Sequence, residues 1–406
     1  MRVLFQCRAD YQNVVGGSEI QIRKTADHLR ALGVEVDILP QQKDLSKWDI
    51  VHVFRSTRPF ETALLCLNAA AQSKPLAVST IYWNDSELSA YRRSLLQRPD
   101  ADWRLRAMVE SLEAGREPMD AELAIAYSAA GVLLPNTQAE ADLLSADFGI
   151  DASRIALVPN AVERSQEDAI LAERFAKVGR RIFGKDCVLC VARIEDRKNQ
   201  LTLIEAMRGI AAPLVLIGPP TFEPYLRLCK KSAGRRVRFL GAAPREVIQT
   251  AYRAAKVHAL PSWFETPGLA SLEAALTGCN IVTTDRGGAR EYFADMAWCC
   301  DPGNISSVRS AVEQALAAPR SGSLRDHIAS NFTWPNTAKQ TLTAYDAVLS
   351  QPPSTEAAAL AAHLHKVLQA ACSRIQALEN LRAQRLYQRI ASTRLYNIYR
   401  RVFGRR

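Results

Sequence analysis

The sequence predicts an α/β protein of two Rossmann-like domains facing each other across a cleft, followed by a C-terminal helical tail. Three observations carry that prediction. The first half alternates short β-branched runs with longer amphipathic ones, as in a parallel sheet covered on both faces. The alternation breaks over residues 162–185 and then restarts, so the chain builds two sheets. At 406 residues it is also long for a single core.

The elements follow in order. Val3-Leu4-Phe5 reads as the first strand, and a Gly-Gly turn (Gly16, Gly17) opens a helix from Ser18 to Leu32 that Gly33 closes. Val34, Val36 and Ile38 alternate as a second strand, and DIVHVF (49–54) is a third. LAVST, GVLLP and IALVP follow as strands separated by helical stretches. After the break come CVLCVAR, a helix after Asn199, PLVLIG, VRFLG, VHALP and NIVTT, again with helices between them. The expected organisation is 1–162 as an N-terminal domain and 163–334 as a second domain. Residues 335–350 form a closing helix that packs back toward the first. Pro352-Pro353 ends the globular part, and 354–406 form a basic amphipathic helix.

Composition excludes several classes. Hydrophobic content of 48% and charged content of 23% belong to a folded globular chain. No run of eighteen uncharged apolar residues is present, so no helical span is expected. The start, MRVLFQCRAD, reads as a strand and not as a secretory leader. Nine scattered cysteines suggest reduced thiols in a cytoplasm. Cys187 and Cys190 form a C-x-x-C inside a strand-like run without a second pair, which disfavours metal binding. The net charge of +10 is uneven: residues 351–406 carry ten Lys or Arg against two acids, the remainder 42 against 40. A nearly neutral body without zinc-finger or RNP-type motifs argues against nucleic-acid binding.

The stretch SWFETPGLASLEAALTG (262–278) sets Glu265 and Glu273 on either side of a Pro-Gly that opens a helix. Helix-start N–H groups at Leu269, Ala270 and Ser271 suit an anion, above all a phosphate. Glu273 has Leu269, Ala270 and Leu276 for neighbours, so its carboxylate needs hydroxyl or amide donors, and a ribose diol would supply them. Glu265 would reach the hydroxyls of a sugar beyond the phosphates. In isolation, two acids so spaced are more often solvated surface residues. They are not isolated: VARIEDRKN places Arg193 and Lys198 in a loop before a helix, where two cations would neutralise a diphosphate. The Gly16-Gly17 turn is another place where backbone can approach a phosphate. His52 and His258 lie in strand-like runs and read as packed residues.

Taken together, GGSE, LLPNTQAEADLL, IALVPNAV, ARIEDRKN, FLGAAPREVIQTAYRAAKVHALPS and ETPGLASLEAALTGCNIVTTDRGGAREYF resemble, in that order over residues 1–350, the retaining glycosyltransferases of the GT-B fold, family 4. The resemblance implies transfer of a sugar from a nucleotide diphosphate to a hydroxyl of a glycan or lipid-linked acceptor, with retention of configuration, in bacterial cell-surface polysaccharide biosynthesis. It implies that Arg193 and Lys198 bind the diphosphate and stabilise the leaving nucleotide, and that Glu265 contacts the donor sugar. The backbone of Gly268, Leu269 and Ala270 would hold the phosphates, Glu273 the ribose, and Gly16 and Gly17 would lie near the distal phosphate. No cofactor or metal is expected.

The sequence departs from the family pattern twice. The usual N-G-V-D is Asn160-Ala161-Val162-Glu163, and a loop that often carries a His reads IYWNDSE. Tyr82 and Asp85 are the acceptor-side candidates there. The tail suits the inner face of an anionic membrane, and equally a seam against the body or a partner subunit. The competing functions are a nucleotide-sugar epimerase or hydrolase on the same fold, and a non-catalytic nucleotide-sugar-binding scaffold.

Overall fold

The computed structural model describes residues 1–8, 16–40, 42–54, 59–114, 116–163, 186–320 and 322–350, with isolated positions at 179–184 and 361–366. The predicted 354–406 helix therefore lies outside the described residues, as does most of the 162–185 break.

The first half runs β1 (Arg2–Gln6), α1 (Gly17–Ala31), β2 (Glu35–Ile38), β3 (Ile50–Phe54), α2 (Pro59–Ala71), β4 (Leu76–Ser79), α3 (Ser86–Leu95), α4 (Trp103–Ala114), α5 (Arg116–Ala129), β5 (Val132–Leu134) and α6 (Gln138–Phe148). Its five strands are parallel, in the order β2-β1-β3-β4-β5. Period-2 alternation splits each strand between two faces. Val3, Phe5, Ile50 and Phe54 pack under α1, and Leu4, Val51 and Val53 pack under α2 and α5. IALVP is not a strand. Ile155 makes a single bridge to Leu133, and Ala156 and Val158 donate to β5 and the residue after it.

The second half runs β6 (Val188–Val191), α7 (Gln200–Ala206), β7 (Leu214–Ile217), α8 (Glu223–Ser232), β8 (Val237–Phe239), α9 (Arg245–Ala254), β9 (Val257–Leu260), α10 (Leu269–Leu276), β10 (Asn280–Thr284), α11 (Ala289–Phe293), β11 (Trp298–Cys300), α12 (Ile305–Ala317), α13 (Gly322–Asn331) and α14 (Trp334–Leu349). Its six parallel strands order as β11-β10-β9-β6-β7-β8. Cys187 and Cys190 enter opposite faces of this sheet. Burial raises both thiols to about 12. That leaves them inert small hydrophobes.

Among the described residues, three sets of contacts that tie the halves together stand out. Helix α14 returns to the first sheet, packs on α1, and sets the Tyr345 hydroxyl 2.6 Å from His52 Nδ1. Helices α3 and α4 belong to the first half in sequence, yet Leu95, Leu105, Met108 and Val109 share one core with Leu201, Leu203, Tyr225 and Leu228 of the second. The segment after β10 then meets the start of α6. Glu291 accepts from the N–H groups of Gln138 and Ala139 at 2.6 and 2.9 Å, filling a helix N-terminus with a carboxylate. The Tyr292 hydroxyl donates to the Asn136 carbonyl and accepts from the Asn160 N–H.

Gly288 lies so close to the start of α6 that an added Cβ would sit 2.2 to 2.5 Å from the Thr137 side chain. Gly288→Ala is therefore expected to force the halves apart and lower stability by about 1–3 kcal/mol, the usual range for overpacking. Urea unfolding monitored by circular dichroism checks this, and an unchanged midpoint rejects it.

Candidate functional site

Both sheets present their carboxyl-terminal strand ends to one region, where ligands of open α/β sheets bind. The loop after β6 makes a 3₁₀ turn over Asp196–Lys198, and Asn199 adopts a left-handed conformation with φ 57°. Asn199 Nδ2 holds that corner by donating to the carbonyls of Pro261 and Pro302 at 3.1 and 2.8 Å. Lys198 thereby points at the loop after β9, where its Nζ lies 2.6 Å from Glu265 Oε2. Ser262 Oγ donates to the same oxygen at 2.9 Å.

The pair is buried, with side-chain exposures of 12% for Lys198 and 7% for Glu265. Burial by itself would raise Glu265. The Lys198 ammonium, the Arg197 guanidinium and the two hydrogen bonds outweigh it and hold the carboxyl below the ordinary glutamate range. Burial and the nearby Arg197 bring the Lys198 ammonium below its usual value, against the pull of Glu265 and Glu195. Glu265 is fixed through its backbone as well: Gly288 N–H donates to its carbonyl at 3.0 Å. A Cβ on Gly287, at φ 78°, would stand 2.6 Å from that carbonyl.

Arg193, Arg197 and Glu195 form the other side of the cluster. Glu195 is buried, and its carboxylate takes Arg193 at 3.2 Å, Arg197 at 3.2 Å and the Thr221 hydroxyl at 3.0 Å. Arg193 remains about half exposed, at 55%, so its guanidinium is available to an incoming anion. Arg197 also donates to the Phe264 carbonyl and lies 5.0 Å over the Trp83 ring, which itself packs on Phe264 at 5.9 Å.

Gly268, at φ 68°, precedes α10, and the first N–H groups of that helix have no intrahelical acceptor. The expectation for Ser271 is corrected: its N–H donates to the Gly268 carbonyl at 2.7 Å, which leaves Leu269 and Ala270 as the open donors. From the first half, Gly17 faces this helix start, where an added Cβ would stand 3.1 Å from Leu269 Cδ1. Gly16 sits beside Glu19, which pairs with Arg8. Glu273 is half-buried and accepts from the Tyr252 hydroxyl at 3.3 Å. The structure thus brings Gly16, Gly17, Arg193, Lys198, Glu265, Gly268, Leu269, Ala270 and Glu273 to one end of the two sheets.

The two acceptor-side candidates are a different matter. Tyr82 is buried, its hydroxyl donates to Asp147 at 2.7 Å and its ring packs on Phe148, so it turns into the first domain. Asp85 lies 3.8 Å from Arg92. The side chain of that loop which reaches the Glu265 cluster is Trp83. Sequence reasoning passed over Glu195, Arg197, Ser262 and Trp83. The alternation R-x-E-x-R-K in 193–198 was the available signal for the first two, since a carboxylate between cations organises them. Nothing local marked Trp83 or Ser262.

His52 and His258 are packed, as expected. His52 lies between Tyr345 and Ser79, His258 between the Val191 N–H and Ser271, and burial lowers both to about 3. Among the described residues no group of three His, Cys, Asp or Glu is placed to hold a metal ion, and no helix is long and apolar enough to cross a membrane.

Comparison with known proteins bears on this arrangement. Residues 173–332 match the family model described as glycosyl transferases group 1. The D-inositol 3-phosphate glycosyltransferase of Corynebacterium urealyticum is 27% identical, over 83% of this chain and 92% of its own. The O-antigen chain mannosyltransferase B of Escherichia coli is 28% identical over 39% of this chain and 45% of its own. Among solved structures, sucrose-phosphate synthase from Thermosynechococcus elongatus superposes with a TM-score of 0.65 at 17% identity, covering 85% of this chain and 98% of that one. Anabaena Alr3699/HepE, solved in complex with UDP and glucose, gives 0.59 at 16% identity, covering 84% and 98%. The two-domain GT-B architecture is shared with these structures.

Proposed function

We propose, from the match of residues 173–332 to the family model of group 1 glycosyl transferases, that this chain moves a sugar from a nucleotide diphosphate to a hydroxyl of a glycan or lipid-linked acceptor, with retention of configuration. The observation that carries the reading is the buried Lys198–Glu265 pair beside the open start of α10, opposite Gly17. A sugar diphosphate needs such a composite surface: cations and N–H groups for phosphate, a fixed carboxylate for hydroxyls.

In this reading the N–H groups at 268–270, Arg193 and Lys198 take the diphosphate, with Gly16 and Gly17 at its distal end. Glu265 accepts from the donor sugar hydroxyls and Glu273 from the ribose. As the bond from the anomeric carbon to the phosphate oxygen breaks, Arg193 and Lys198 stabilise the charge left on that phosphate. The acceptor oxygen bonds the same face, and its proton passes to the departing phosphate, so no protein nucleophile is required. Retention is checked by proton NMR of the product anomer.

The cations and the helix start carry the phosphate charge, so we expect transfer to persist after EDTA treatment; loss of activity restored by Mg²⁺ would reject metal independence. A cell-surface polysaccharide role is supported by the similarity to an O-antigen mannosyltransferase. A cytoplasmic enzyme peripheral on the inner membrane is supported by the basic composition of residues 351–406.

The donor site is tested by thermal shift with UDP, GDP, ADP, dTDP and CMP. A nucleotide at a hundred times its Kd stabilises by about 2.7 kcal/mol, and Glu273→Ala and Arg193→Ala are expected to remove the shift. If no nucleotide moves the melting point, the donor-site assignment is rejected.

A further inference from the structure

The body is nearly neutral, yet its charge is not spread evenly. Residues 227–238 hold six cations, Arg227, Lys230, Lys231, Arg235, Arg236 and Arg238, and no acid. They lie on α8, on the turn that follows it and on the edge strand β8, and all but Arg227 are exposed. Beside them, α4 begins with Trp103, which is 71% exposed, the most of the exposed large hydrophobics. The helical period explains why. Leu105, Met108 and Val109 are drawn into the core shared with α8, and Trp103 falls on the opposite face.

Several contacts join α4 and α8 into one surface. Arg98 Nη2 donates to Ser232 Oγ at 3.4 Å, Lys231 lies 3.8 Å from Asp100, and Arg227 faces Asp102. Asp102 spends its carboxylate on the N–H groups of Arg104 and Leu105. The guanidinium of Arg104 sits 5.0 Å over the Trp103 ring. An exposed indole thus lies next to a face on which cations outnumber acids. At a lipid headgroup layer both features become favourable, since the ring sits among headgroups and the cations meet anionic lipid.

We propose that the α4–α8 face, with Trp103 as its insertion point, docks on an anionic bilayer surface independently of residues 351–406. A polyanion such as RNA would satisfy the cations. This face nevertheless offers one indole, without the row of stacking aromatics that single-strand binding uses, so the bilayer is favoured.

The test is sedimentation of the purified full chain with vesicles of phosphatidylcholine alone or with about 30 mol% phosphatidylglycerol. Binding is expected only with the anionic lipid and is expected to weaken with salt. The combined substitution Lys230→Gln, Lys231→Gln, Arg235→Gln and Arg236→Gln is expected to lower the partition coefficient about fivefold per cation removed. Trp103→Ala is expected to lower it without changing the salt dependence. Both variants alter exposed side chains, so unchanged thermal unfolding confirms that they fold. Partition equal to the parent's in both variants overturns the proposal and assigns binding to residues 351–406. Capture on immobilised RNA with none on anionic vesicles also overturns it.

Discussion

Lys198→Met is expected to abolish transfer and destabilise the protein in one step. It leaves the Glu265 carboxylate buried without its ammonium partner, a loss of about 3–5 kcal/mol for a broken buried pair. Removing a charge-stabilising donor from a reaction centre typically costs a further factor of about 10² to 10³ in turnover. Lys198→Arg should not rescue it, because the planar guanidinium does not fit a site built on one ammonium 2.6 Å from a carboxylate oxygen. Urea unfolding and initial rates, measured on the same preparations, separate the two effects.

The pair also makes stability pH-dependent in a defined direction. The folded Glu265 carboxyl lies below its ordinary value of 4.5, so the unfolded chain takes up that proton first as pH falls. The stabilisation is complete above pH 4.5 and is lost as pH drops through the folded value. Glu265→Gln should flatten the unfolding free energy below that point. A Gln variant with the parent's acid slope would show that the pair contributes nothing.

Arg92→Met is the second large effect, and it arises at a residue that the sequence reading did not single out. Arg92 lies on α3 in the first half, about one-tenth exposed, with Nε donating to Asp196 at 2.5 Å and Nη1 3.7 and 3.8 Å from Glu113 and Asp85. Asp196 opens the turn that carries Arg197 and Lys198. Removing the guanidinium takes the close partner from the buried Asp196 carboxylate, and we expect a loss of about 3–5 kcal/mol. Nucleotide diphosphate affinity should weaken with it, because the turn loses its anchor. The double variant Arg92→Met/Asp196→Leu should recover part of the stability, which a double-mutant cycle measures. An unchanged urea midpoint in Arg92→Met would show that the ion pair does not hold the turn.

The parts of the site that were legible in sequence are those whose chemistry is local. A Gly-Gly before a helix, a Pro-Gly at a helix start, and cations bunched in a strand-to-helix loop each state their geometry within a few residues. Arg193, Lys198, Glu265 and Glu273 were found in this way. Tyr82 was chosen by position in the chain, and position does not say which way a side chain turns. The hydroxyl goes to Asp147, while Trp83 takes the place beside Phe264 and Arg197.

The sequence by itself determined the two parallel sheets, nearly all of their strands, and the helix starts that gather at one end of them. Period-2 and period-3.6 patterns are short-range consequences of burial, so they survive in a linear reading. The short edge strand Trp298–Cys300, and the IALVP segment that makes a single bridge in place of a strand, needed the neighbouring strand to be seen. Only the tertiary structure decided that α3 and α4 leave their own half to join the second core, that Arg92 anchors Asp196 across 104 residues, and that Trp103 is left in water beside α8. Those outcomes depend on which apolar face finds a partner of the right shape. That is a contest among distant surfaces, and a single chain position does not record its result.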